Sequence, residues 1–203
     1  MEHKEFKRQL DELRTIITDG IAYFSAWQAI ANLDENSAHA LNRYRGFFLP
    51  AQVSLKNMAL LQFSKIFDPD TRTISLRNLL SAVKENRQLL TPHAEEDDLK
   101  RIEHLIDSNE ESLNHLKGFR DQRLAHHDKV ISSDTSLTFG KVRKLIDDVK
   151  VIYNSLSRGH ERSTTAFDFI SREAERHTLQ VIEIMCEERD RAKERISEID
   201  THE

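Results

Sequence analysis

The sequence predicts an all-α protein, a single-domain antiparallel bundle of long helices. Two compositional facts point there: only five Gly and three Pro occur in 203 residues, and charged residues make up 32% of the chain. The third is periodicity, because apolar residues recur at helical intervals through most long segments. Together these favour amphipathic helices over a turn-rich β fold. A chain of this length can bury one core without disulfides or metals, so one domain over residues 1–203 is expected.

Phe6, Leu10, Leu13, Ile17, Ile21 and Phe24 place one apolar stripe on a first helix running to about Leu33. Asp34 to Ser37 is a polar break, with either end residue able to cap the next helix. Ala38 to Phe67 is apolar on several sides, and Pro50 inside it predicts a kink or a division. Asp68-Pro69-Asp70-Thr71 signals a turn, after which Ser75 leads a helix through Leu76, Leu79, Leu80 and Val83. Thr91-Pro92 breaks the chain again.

From Ala94 to His126 the series Leu99, Ile102, Leu105, Ile106, Leu113, Leu116 and Phe119 predicts one long helix, with Gly118 as a local weakness. Val130 to Ser136 is rich in Ser, Asp and Thr and predicts a loop. Val142, Leu145, Ile146, Val149, Ile152, Tyr153 and Leu156 mark another helix, with Arg158-Gly159 as its expected C-cap. A last helix from about Ser163 carries Phe167, Ile170, Ala174, Val181 and Met185. Its end, within residues 187–203, predicts a charged, solvated helical tail.

The single cysteine, Cys186, excludes an internal disulfide and gives no sign of an oxidising compartment. The start, Met1-Glu2-His3-Lys4-Glu5-Phe6, lacks the apolar stretch of a signal peptide, and no run approaches a transmembrane span. A cytoplasmic protein with no membrane partner is expected. A formal net charge of −5 excludes a surface that grips nucleic acid all over, so any polyanion contact must be local.

One such place exists. Around Phe119-Arg120-Asp121-Gln122-Arg123-Leu124-Ala125-His126-His127-Asp128, the cations Lys117, Arg120, Arg123 and Lys129 gather with His115, His126 and His127. Arg120 and His126 form a pair of the kind that can act on a phosphodiester. Spacing alone does not single them out, since chance supplies roughly two or three Arg/His pairs at such intervals in this composition. Arg87 with His93 is one rival, interrupted by Pro92. Arg172 with His177 is another, and His177 falls on the apolar side of its helix, where a core or interface role is expected. Cations near a helix C-terminus also stabilise it, so helix-end stabilisation is the plain alternative for Arg123, His126 and His127.

The full pattern, Arg120-Asp121, four residues, then His126 in Leu124-Ala125-His126, resembles the signature of the HEPN superfamily. The all-α design, the Asp68-Pro69 turn before Ile74-Ser75-Leu76, and the Leu-Ala-His-His-Asp ending resemble its abortive-infection branch. The resemblance implies a metal-independent endoribonuclease without cofactors, with Arg120 and His126 as catalytic residues. It also implies a homodimer that joins two motifs across a two-fold interface near residues 115–129, and a role as a toxin or phage-defence effector, with a cognate antitoxin as a possible regulatory partner. His127 lies seven residues from Arg120, almost on the same helix face, and also satisfies the spacing. His126 fits the Leu-Ala-His pattern better, which leaves His127 a supporting role.

Asp121 stands where Asn is commoner; its carboxylate can orient the arginine or a histidine, or repel phosphate. Arg123, Lys117 and Lys129 are candidate RNA-binding cations. Trp27, Phe47 and Phe48 are assigned to the core in preference to base stacking. Two other readings stand beside the ribonuclease: a non-catalytic dimeric module binding RNA, nucleotide or a protein, and a metal site on His126, His127 and Asp128. The last lacks spaced ligand motifs. No Gly-rich phosphate loop, nucleophile elbow or paired catalytic carboxylates stand out.

Overall fold

In the computed structural model, residues 1–124 and 137–200 are described, with side chains described for 1–121 and 137–195. All regular structure among them is helical, as expected. The elements are α1 (His3–Ala31), α2 (Glu35–Asn42), α3 (Arg45–Ile66), α4 (Leu76–Glu85), α5 (Arg87–Leu90), α6 (Glu96–Ser108), α7 (Glu110–Leu124), α8 (Phe139–Glu161) and α9 (Phe167–Asp200). No helix among the described residues is long and apolar enough to cross a membrane. The chain groups into two compact units: Met1–Ile21 with Ala59–Phe167, and Ala22–Met58 with Asp168–Glu203.

In the first unit α8 packs against α4, α6 and α7. Its predicted stripe, Val142 through Leu156, is buried throughout. The first part of α1 runs antiparallel to α8. Lys7 pairs with Glu161 at 2.7 Å, while further along α1 the charges of Asp11 and Arg14 reach the buried Tyr153. Beside this seam His160 is buried; its Nδ1 pairs with the Leu90 carbonyl and its ring lies against Phe6 and His3. Burial holds its pKa below the ordinary histidine value.

Helix boundaries follow local polar chemistry. Asp34 caps α2 by accepting from the Ser37 amide, and Ser75 caps α4 by accepting from the Asn78 amide, both among the expected capping residues. The expected division at Pro50 falls earlier. The helix breaks at Arg43-Tyr44, closed by a Tyr44 amide bond to the Leu41 carbonyl, and Pro50 sits early in α3, where it removes a single ladder donor.

The expected single helix from Ala94 to His126 is two. It breaks at Asn109, not at Gly118, because the buried Asn109 amide donates to the Leu105 carbonyl and to the Asp148 carboxylate of α8, at 2.7 and 2.6 Å. Gly159 is not a C-cap. It lies inside α8, which ends at Arg162 in the left-handed region (φ 56°). A Cβ on Gly159 would lie 2.8 Å from the Ala94 Cβ, so the glycine serves close approach to the Thr91-Pro92 turn.

The second unit is sparser. Ser25 of α1 and Ser171 of α9 share a hydrogen bond of 2.8 Å, and Arg189 of α9 donates to the Asn36 carbonyl at 2.8 Å. Arg189 is therefore a buried exception in the expected solvated tail. Further expectations are corrected here. Val181 is exposed, and so is His177, which pairs with Glu173 on its own helix and so is not a core residue among the described residues. Phe47 is exposed, not core, and Trp27 is half-buried with Lys56 over its ring.

Candidate active site

The site is built on the turn between α3 and α4. Asp68 follows the buried Phe67, and Pro69 fixes the backbone immediately after it. One Asp68 oxygen, Oδ1, accepts the Asp70 amide at 3.0 Å, an Asx turn that closes the segment on itself. Asn78 of α4 donates from its side chain to the carbonyls of Asp70 and Thr73, tying the turn to the next helix. The remaining oxygen, Asp68 Oδ2, is thereby aimed at α7.

Arg120 meets it there. Leu113, Leu116 and Arg120 follow one another at intervals of three and four, so the arginine continues the buried face of α7. Its Nη1 donates to Asp68 Oδ2 at 2.6 Å, between side chains only 24% and 16% exposed. Its Nε donates to Asp121 Oδ1 at 3.2 Å, at a more exposed carboxylate. Burial works against the guanidinium charge most strongly, but the bond to Asp121, the negative fields of Asp68 and Asp121, and the bond to Asp68 outweigh it; the pKa is raised. Among the described residues two of the five guanidinium donors are engaged.

Next to this pair is a cleft of about 210 Å³, lined by Ser64, Asp68, Arg77, Asn114, Lys117 and Arg120 over an apolar floor that includes Phe67 and Leu116. Lys117 lies on α7 almost one turn before Arg120 and is exposed. Of the anticipated site residues, Arg120, Asp121 and Lys117 thus share this end of α7. The Arg123 side chain, His126, His127 and Lys129 lie outside the described residues, as does Asp128.

Asp68 is the contributor that sequence reasoning missed. It was legible as a turn residue but not as a partner of Arg120, 52 positions away. The rival pairs are separately placed. Arg87 opens α5 whereas His93 follows the Thr91-Pro92 turn, and Arg172 and His177 are both exposed on α9.

Among the described residues no three His, Cys, Asp or Glu side chains are grouped to hold a metal ion. No curated protein and no solved structure matches the chain. A family model does: the HEPN model described as AbiU2 matches residues 3–181, covering α1 to α8, the Asp68-Pro69 turn, Arg120 and the first part of α9. A match over most of the length, on an all-helical fold, identifies the chain as a member of the AbiU2 family of the HEPN superfamily, its abortive-infection branch.

Proposed function

We propose that this protein is a metal-independent endoribonuclease acting in abortive infection, with Arg120 and His126 as its catalytic residues. The observation that carries the reading is the setting of Arg120. In a HEPN chain, the motif arginine is held by Asp68 and Asp121 at the edge of a cleft with two further cations, and among the described residues only two of its five donors are engaged.

The chemistry follows from the side chains. His126, in its neutral form, accepts the 2′-hydroxyl proton as that oxygen attacks the adjacent phosphorus. The P–O5′ bond breaks, a 2′,3′-cyclic phosphate forms, and the leaving 5′-oxygen takes a proton from an acid. Arg120 stabilises the negative charge that builds on the phosphoryl oxygens. One histidine cannot be base and acid at once, so a second chain supplies the other through a homodimer that joins two motifs near residues 115–129. His127 supports His126. Lys117, Arg123 and Lys129 hold the RNA backbone, and Asp121 orients Arg120. A toxin restrained by a cognate protein partner is the corresponding biological role.

One observation favours a second reading, a non-catalytic HEPN module. The Asp68–Arg120 pair also ties α7 to the turn before α4, which is a structural task. The discriminating measurement is RNA cleavage in EDTA by wild type, Arg120→Ala, Arg120→Lys and His126→Ala. Removing the guanidinium strands the Asp68 carboxylate at a cost on the order of 1.5–3 kcal/mol, so Arg120→Lys is included to keep a charge beside it. The ribonuclease reading expects losses of roughly 10²–10⁴-fold for His126→Ala and a severe loss for both arginine variants. Equal cleavage by wild type and His126→Ala overturns the mechanism. A stable dimer without cleavage supports the module.

A further inference from the structure

Arg77 belongs to α4, outside the motif, yet it lines the same cleft as Arg120 and Lys117. It is half-buried, and neither Arg77 nor Lys117 forms an ion pair or side-chain hydrogen bond among the described residues. Other basic side chains near this surface are committed: Arg120 to Asp68 and Asp121, and Lys84 to Glu103. A half-buried guanidinium without a carboxylate pays for desolvation with no compensating partner, which is the condition in which an anion from outside is bound most favourably.

The balance of the cleft agrees. Asp68 is neutralised by Arg120, which leaves Glu110 as its other carboxylate against Arg77 and Lys117. Ser64 and Asn114 add neutral polar groups to the wall, and the volume of about 210 Å³ is too small for a folded partner.

From this geometry we infer that the cleft between the Asp68-Pro69 turn, α4 and α7 is a second phosphate subsite. In it Arg77 and Lys117 hold the RNA phosphate next to the one that Arg120 faces. The inference rests on the ribonuclease reading for the identity of the polymer. Arg77 supplies a planar fork suited to two phosphate oxygens, and Lys117 supplies a point charge from α7. Contacts of this kind set register along the strand and carry no base preference. The subsite therefore predicts tighter binding to any single-stranded sequence.

The test is fluorescence anisotropy of a labelled single-stranded 2′-O-methyl oligoribonucleotide, which cannot be cleaved by 2′-hydroxyl attack, titrated over a range of salt. Wild type, Arg77→Gln, Lys117→Ala and the double variant are compared with Lys193→Ala, which removes an exposed charge from α9. The subsite expects each cleft variant to weaken binding and to reduce the slope of log K against log salt by about 0.7, and the double variant by about twice that. Lys193→Ala is expected to leave the slope alone. With cleavable RNA, Arg77→Gln should raise KM by a larger factor than it lowers kcat.

Wild-type affinity and slope in folded Lys117→Ala and Arg77→Gln overturn the subsite, as does an equal slope change from Lys193→Ala. Lys117 is exposed, so its variant keeps the test decisive even if Arg77→Gln unfolds. The two readings fail separately. Binding that depends on Arg77 without any cleavage in EDTA removes the ribonuclease and keeps the subsite, whereas normal cleavage with unchanged slopes does the reverse.

Discussion

The two units bury their apolar residues very differently. In the first, Phe6, Leu13, Ile17, Phe63 and Leu145 are 0% exposed. In the second, Phe47 is 70%, Ile184 65% and Phe169 56% exposed. Nine of the eleven large hydrophobic residues that stand exposed among the described residues belong to the second unit. Apolar area left in water contributes nothing to the stability of the free chain, so hydrophobic stabilisation is concentrated where Asp68 and Arg120 lie. The lesson is that the arginine is fixed by a well-packed frame, while α9 and the first turns of α3 carry side chains that the frame does not use.

The largest test of this contrast sets Phe6 against Phe47. Phe6→Ala should cost about 3–5 kcal/mol, because it opens a cavity between α1 and the His160 region of α8. Phe47→Ala removes a side chain of the same kind that is already in water, and should change stability by no more than about 0.5 kcal/mol. Urea unfolding of both variants in the full chain measures the difference. A Phe47→Ala cost approaching that of Phe6→Ala would break the contrast and assign hidden packing to the second unit.

Much of the first unit was legible in the sequence because its helices are amphipathic. The stripes from Phe6 to Ile21, from Leu76 to Val83 and from Val142 to Leu156 are buried as periodicity predicts. Periodicity held for Phe24 but failed elsewhere in the second unit for the converse reason. Val181 and Phe47 fit an apolar pattern, but a pattern states which face can be buried and not whether anything covers it. The break at Asn109 was hidden too, because it depends on an amide that reaches Asp148 from another helix.

The candidate site divides in the same way. Arg120, Asp121 and Lys117 were found through a local motif, whereas Asp68 and Arg77 come from the α3–α4 turn and α4 and meet α7 only in the fold.

Gly159 probes how tight the first unit is at its backbone. Its neighbours across the gap are the Cβ atoms of Ala94 and Thr91, which cannot swing aside as a flexible side-chain end can. The Thr91-Pro92 turn is also tied down there, with the His93 amide donating to the Gly159 carbonyl at 3.0 Å. Gly159→Ala should therefore lose about 1–3 kcal/mol through overpacking, although alanine is the better helix former. A stabilised variant in thermal or urea unfolding would mean that the turn can retreat, and that the close approach does not explain the glycine.

Gly118 gives a smaller effect than Gly159 and the opposite sign, and it marks the limit of the tight packing. It sits inside α7, two residues before Arg120, and a Cβ built there meets nothing within 4 Å. With no clash to offset the gain, Gly118→Ala should stabilise the chain by about 0.5–1 kcal/mol through the lower backbone entropy of its unfolded state. The frame thus fixes α7 through Leu113, Leu116 and the Arg120–Asp68 bond, while a side chain at Gly118 meets no neighbour among the described residues. A substitution there should leave that bond in place and, on the ribonuclease proposal, leave RNA cleavage close to wild type. If Gly118→Ala stabilises the fold yet abolishes cleavage, the glycine serves the reaction through freedom of the α7 backbone, and a rigidly held Arg120 is not sufficient for it.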